Sequence, residues 1–308
     1  MIARAFERIM PIVVGDAAAQ QSPRQSRRAN PRSPAMNSHD PSPLGKATGY
    51  PDRYDPGLLF SIDRVAQREA LGLRGTLPFR GADLWTAYEI SWLDARNKPQ
   101  LAIGELRIPA DSPATVESKS LKLYLGSFAQ ESVATRERLA QTIERDLDRI
   151  CGAQVDVVLH PATVSAAPGI AELPGASVDD EAGIADAAAP DPALLAVGAA
   201  IAEETLSSAL FRSNCPVTGQ PDYADVMVRY RGPRIDRASL LSYLLSYRRH
   251  AAFHESCVER IYIDIAARCR PERLTIYARF TRRGGIDINP FRSNCEAPPV
   301  AAQRTPRQ

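Results

Sequence analysis

The sequence predicts an α+β fold of two tandem modules, each an antiparallel sheet backed by helices on one face. Two periodicities alternate along the chain. In some runs apolar residues recur at every second position, as in half-buried strands; in others they recur every three or four, as on one helix face. A short word also recurs: Ser120-Leu-Lys-Leu-Tyr-Leu-Gly-Ser-Phe128 aligns without gaps on Ser239-Leu-Leu-Ser-Tyr-Leu-Leu-Ser-Tyr247. Each copy follows a strand candidate and a proline-containing turn, which implies duplication of one unit.

Residues 1–45 read as a disordered N-terminal extension. Arg4, Arg8, Arg24, Arg27, Arg28 and Arg32 stand among Ala, Gln, Ser and Pro, with too few large apolar groups to build a core. The same composition fits a transit segment, and Met36 is an alternative start. The first module spans 46–160. Leu84, Thr86, Tyr88, Ile90 and Trp92 alternate as one face of a strand, Asn97-Lys-Pro99 is turn chemistry, and 101–108 is a second strand. Helical turns follow at 116–128. Leu139, Ile143, Leu147 and Ile150 then share a helix face that Gly152 ends.

Residues 161–192, rich in Ala, Pro, Gly and Asp and without periodicity, read as a linker. The second module spans 193–294. It begins with a weakly helical stretch, 194–210. Ala224, Val226, Val228 and Tyr230 alternate as a strand, and 239–250 is helical. Val258, Ile261, Ile265 and Cys269 form a helix face that stops before Pro271. Leu274, Ile276, Ala278 and Phe280 make the final strand. The tail, 295–308, is expected to fray.

Charge is nearly balanced, 38 basic against 36 acidic residues, which argues against a basic nucleic-acid surface and for no direct nucleic-acid partner. No apolar run approaches the ~20 residues of a membrane span. The five cysteines form no C-x-x-C pair, and an odd, scattered set reads as reduced thiols in the cytoplasm.

Five stretches carry candidate chemistry. Cys215-Pro-Val-Thr-Gly-Gln-Pro-Asp222 contains two prolines that deny a continuous helix, so it is predicted to be a loop ending where a strand begins. Such a loop can bring the thiol to the Asp222 carboxyl, a nucleophile beside a proton donor. Arg212 nearby would favour thiolate. A buried, inert cysteine and an ordinary Pro-Asp turn are the alternatives. Phe291-Arg-Ser-Asn-Cys295 repeats the word Phe211-Arg-Ser-Asn-Cys215, so the discriminating part is the Pro-x-Thr-x-Gln-Pro-Asp run that only Cys215 precedes.

His254-Glu255 heads the last helix; Glu255 is either a dipole-suited acid or an acceptor for a guanine-like edge, with His254 beside it. Glu117-Ser-Lys-Ser120 opens a helix, and Lys119 and Arg283, with Ser118 and the Gly284 backbone, are candidate phosphate contacts or plain solvated groups. His250-x3-His254-x2-Cys257 has partial zinc spacing, but a helix break between the histidines leaves metal as the lesser reading and no metal ligands are assigned. Neither G-x-G-x-x-G after a strand nor a P-loop is present, so a dinucleotide would not sit in a Rossmann crevice.

Taken together, the Cys215–Asp222 phrase, Glu117-Ser-Lys-Ser-Leu-Lys122, Phe253-His-Glu255 and Arg282-Arg-Gly-Gly-Ile-Asp-Ile-Asn-Pro290 resemble the NADPH-dependent nitrile reductases of queuosine biosynthesis, the 7-cyano-7-deazaguanine reductase family in its long two-module form. The resemblance covers roughly 45–294. It implies tunnelling-fold modules, a homodimer, and NADPH-driven reduction of 7-cyano-7-deazaguanine to 7-aminomethyl-7-deazaguanine. Under it Cys215 attacks the nitrile carbon to give a thioimide, with Asp222 and His254 as the other catalytic positions. The base is held at Val116, Glu117, Ser118, His254 and Glu255, and NADPH at Ser118, Lys119, Arg283 and Gly284. A zinc-dependent cyclohydrolase, a thiol hydrolase and a purine-binding module of the same fold are the alternatives.

Overall fold

The computed structural model describes residues 49–163, 169–300 and 303–308; the predicted extension up to 45 and Met36 lie outside them. The elements run β1 (Ser61–Asp63), α1 (Val65–Ala70), β2 (Arg80–Leu93), β3 (Pro99–Pro109), β4 (Ala114–Val116), α2 (Ser118–Gly126), α3 (Arg136–Cys151), β5 (Asp156–Pro161), β6 (Ala176–Ser177), β7 (Val197–Asn214), β8 (Pro221–Ile235), α4 (Arg237–Leu245), α5 (His254–Cys269), β9 (Arg273–Phe280) and β10 (Ile286–Ser293). Eight strands form one sheet in the order β5-β3-β2-β10-β9-β8-β7-β6, antiparallel except at the short β6 edge. A two-stranded ribbon, β1 with β4, stands apart.

Both helix pairs lie on one face of the sheet. Leu121, Tyr124, Leu139, Ile143 and Leu147 cover Trp85, Ala87, Ile90, Leu106 and Ile288. Leu240, Leu244, Val258, Ile261 and Ile265 cover Val226, Val228, Ile276 and Ala278. The opposite face carries a smaller apolar patch of Ala82, Leu84, Met227, Tyr277 and Phe291. The α+β class and the helix faces agree with the sequence reading: α3 buries Leu139, Ile143 and Leu147, and Gly152 ends it in the left-handed conformation at φ 66, where a side chain would be strained.

Four expectations are corrected. The stretch read as weakly helical is the long strand β7, hydrogen-bonded along β8 from Asn214 opposite Pro221 to Val197 opposite Ile235. Its inward set, Ala202, Leu206 and Ser208, then Phe211 and Ser213, holds only two large apolar residues and changes parity at a bulge, which hides the period of two; sheet pairing overrides the helix preference of the alanines.

A strand beyond the one taken as final, β10, pairs with β2 along its whole length and joins strands from either side of 161–192. Pro290 argues against a central strand, but β9 pairs with β10 only from Phe291 to Ser293, so the missing donor falls where one side is unpaired. The single face proposed for β2 is two: a bulge between Ala87 and Ile90 puts Trp85 and Ala87 with Ile90 and Trp92, and Leu84 on the other side. Finally, the described part of the tail is packed. Glu296 binds Arg229 and Thr275, and Gln308 is buried with bonds to Arg279, Asn289 and the Phe280 carbonyl.

Candidate active site

Residues 215–220 form the predicted loop, closed by Cys215 N–H donating to the Gln220 carbonyl (2.8 Å) and Gly219 N–H donating to the Cys215 carbonyl (3.0 Å). Gly219 takes φ 69, a turn conformation that favours glycine. Cys215 is 2 % exposed. Burial alone would push its thiol up. The Thr218 hydroxyl, the Thr218 and Val217 amides and the Arg283 charge outweigh that and hold it below the ordinary thiol value. The cation acting on the thiol is therefore Arg283; Arg212 bonds Asn214 and lies over the Tyr223 ring instead.

Asp222, the second residue of β8, is buried beside Arg283, whose Nε lies 3.0 Å from Oδ1. His254 Nε2 approaches Oδ2 to 3.3 Å, yet the pair is off the hydrogen-bond line, and Asp222 Oδ2 and both His254 ring nitrogens lack hydrogen-bond partners. The imidazole is held flat on Phe280, ring centroids 3.8 Å apart and planes 4° apart. Arg283 belongs to the β9–β10 turn, where Gly284 and Gly285 take φ 61 and 78. A Cβ on Gly284 would press on Lys122, so this turn lies directly against α2.

Glu255 is buried in the first turn of α5. Burial pushes its carboxyl up, and the Asp83 charge adds to that, against Arg64 and His254. Behind it runs a buried ion network. Arg64 donates to Asp83; Arg292 Nη1 lies 2.8 Å from Asp83 Oδ1, and its Nη2 lies 2.8 Å from Glu259, which Arg68 also pairs at 2.8 Å. Burial opposes the Asp83 and Glu259 charges, but these guanidiniums hold both carboxyls below their ordinary range.

A narrow cavity of about 30 Å3 brings much of this together. Val116, Ser118, Asp222, His254, Glu255 and Arg283 line it, so residues predicted from four distant motifs share one wall-to-wall space. Cys215 is outside the lining, though its neighbour Pro216 belongs to it. Glu117 points elsewhere: its two oxygens accept the Lys119 and Ser120 amides at 2.8 Å each and cap α2. Lys119 and Gly284 flank Ser118 and Arg283 outside the lining. The lining also includes Ile288, from the quoted 282–290 word, and Arg64, Gln67, Trp85 and Thr115, which the sequence did not mark; the one local signal was Asp83, a charge between Ala82 and Leu84.

His250 packs edge-on against Tyr247, while Cys257 is buried among apolar side chains and its thiol is pushed up to about 12 by burial. Among the described residues no three His, Cys, Asp or Glu side chains converge as metal ligands.

A family profile described as nitrile reductase, 7-cyano-7-deazaguanine-reductase N-term, matches residues 50–159, and one described as QueF-like protein matches 221–299. Curated relatives named NADPH-dependent 7-cyano-7-deazaguanine reductase include those of Paraburkholderia phymatum, 51 % identical over 87 % of this chain and 98 % of theirs, and of Chromobacterium violaceum, 50 % identical over 89 % and 100 %. That of Burkholderia ambifaria is 52 % identical over 87 % and 98 %. The crystal structure of the archaeosine synthase QueF-Like in the apo form aligns at TM-score 0.28 and 16 % identity over 33 % of this chain and 99 % of its own, a likeness too slight to carry weight. At half identity over nearly the whole length of such relatives, this chain belongs to the NADPH-dependent 7-cyano-7-deazaguanine reductase family.

Proposed function

We propose that the protein reduces the nitrile of 7-cyano-7-deazaguanine to the primary amine of 7-aminomethyl-7-deazaguanine with NADPH. The observation that carries this is the buried Cys215 thiol, held toward thiolate, beside a pocket where Asp222, Arg283, His254 and Glu255 meet. Cys215 Sγ adds to the nitrile carbon, forming a C–S bond. One C–N π pair moves to nitrogen, which takes a proton from Asp222, leaving a thioimide. His254 moves the further protons, a role supported by its two unpartnered ring nitrogens beside Asp222. Glu255 accepts the N1–H and 2-amino hydrogens of the base. Val116 and Ser118 line its pocket, and Glu117 fixes the backbone they stand on.

The cofactor residues fit an anionic dinucleotide. Arg283 and Lys119 supply cations, Ser118 a hydroxyl and Gly284 an exposed backbone. When bound there, NADPH supplies hydride, two equivalents per nitrile. Between the two reductions the C–S bond breaks and the Cys215 thiol is regenerated.

The same reading takes 46–160 and 193–294 as two modules joined by 161–192, with 1–45 and 295–308 as extension and tail. It also takes the enzyme as a cytoplasmic homodimer. β5 and most of β7 present free sheet edges among the described residues, with Val158, Ile201 and Leu210 exposed on them, as a second copy would cover. All five cysteines are free and no described helix is long and apolar enough to cross a membrane. The test is stoichiometry: two NADPH oxidised per aminomethyl product. Nitrile consumed without NADPH oxidation would overturn the reductase reading in favour of hydrolysis.

A further inference from the structure

The cavity lining includes two residues whose polar atoms the chemistry above does not use. Trp85 is 2 % exposed and its indole Nε1 has no hydrogen-bond partner; Thr115 is 6 % exposed and its Oγ1 has none either. Both residues line the cavity that holds Glu255 and His254. Buried indole N–H and hydroxyl groups are normally paired, so two orphans facing one pocket mark positions where a ligand supplies the partner.

Both are rigidly placed. Trp85 stands mid-strand in β2, opposite Leu106 of β3 and Ile288 of β10. Thr115 is the middle residue of β4, opposite Ile62 of β1. Ile288 and Ile62 line the same cavity, so each of the two polar residues stands beside an apolar strand partner that offers it no hydrogen bond. A donor fixed in this way rewards an acceptor and penalises an opposing N–H.

We infer that Trp85 Nε1–H and the Thr115 hydroxyl are further base-reading groups, bonding the ring atoms that flank those taken by Glu255. The inference rests on the proposed substrate. In a guanine-type ring the N1–H and 2-amino pair lies between two acceptors, the 6-carbonyl oxygen and N3. An indole N–H beside a carboxylate that reads the donor pair meets one of these acceptors, and the hydroxyl, which can donate or accept, serves its neighbour. An adenine-type ring reverses the pattern: its 6-amino hydrogens oppose the indole N–H and its N1 opposes the carboxylate. The two groups therefore make the pocket select for the oxo, amino ring.

The chain has two tryptophans, Trp85 and Trp92, and Trp92 packs in the core away from the cavity lining. The 15N-labelled protein thus gives two indole N–H resonances, assigned with Trp92→Phe. Adding 7-cyano-7-deazaguanine without NADPH should move the Trp85 resonance downfield and leave that of Trp92 in place. Trp85→Phe, which keeps a ring and loses the N–H, and Thr115→Val should each raise KM about three- to tenfold with kcat within about twofold, the range of one neutral hydrogen bond. A Trp85 resonance that stays fixed while a Cys215 adduct forms by mass overturns the inference alone. Absence of both the adduct and the shift overturns the proposed substrate and this inference with it.

Discussion

Replacing Asp83 by Asn tests the ion network behind Glu255. Asp83 is fully buried and faces two guanidiniums, Arg64 and Arg292, the latter also without exposure. Removing one negative charge leaves Arg68 and Arg292 paired to Glu259 and takes from Arg64 the carboxylate it pairs with. Breaking a buried pair so that a charge is uncompensated costs about 3–5 kcal/mol, a large share of the ~5–15 kcal/mol of a typical domain. The assay is urea unfolding at fixed protein concentration and several pH values. Because the Asp83 carboxyl is held below its ordinary value in the fold, its contribution is fully present above the unfolded value of about 3.9 and is lost as pH falls through the folded value. Wild type should therefore exceed Asp83→Asn by the same margin at pH 7 and pH 5, with the gap closing below about pH 4. A loss under about 1 kcal/mol, or a gap already fading between pH 7 and 5, would refute the reasoning.

Two further predictions concern the site. In pH-resolved alkylation mapped by peptide mass, Cys215 should label at lower pH than Cys151 and Cys257, both pushed up to about 12 by burial, and Cys269, pushed up to about 11. Arg283→Gln removes a cation that favours the thiolate, so the Cys215 midpoint should move to higher pH while that of Cys295 stays; an unmoved Cys215 midpoint contradicts the pairing. Glu117→Ala removes the cap of α2 and should cost about 1 kcal/mol in thermal or chemical unfolding, whereas unchanged stability would show the capping carboxylate to be idle.

The helices and most strands were legible because their buried faces use large apolar residues at the right spacing: Leu139, Ile143 and Leu147 on α3, and Leu274, Ile276, Ala278 and Phe280 on β9. What escaped depends on partners distant in sequence. β7 reads as helix until β8 lies beside it, and β10 is masked by Pro290 until only one neighbour is needed there. The motif residues Val116, Ser118, Asp222, His254, Glu255 and Arg283 line one cavity, while Glu117 caps a helix end. Trp85 was not singled out; it stands between Leu84 and Thr86, which were read as one strand face. Nothing local separates an indole that faces a pocket from one that fills a core, because the difference lies in whether its N–H finds a partner.

The central claim is a covalent step at Cys215, and intact-protein mass spectrometry of the chain mixed with 7-cyano-7-deazaguanine, without NADPH, tests it most directly. The expected result is a mass increase equal to one whole nitrile molecule, located by peptide mapping on Cys215 and absent from Cys215→Ala. Unmodified protein, or an adduct that survives the loss of Cys215, would contradict it.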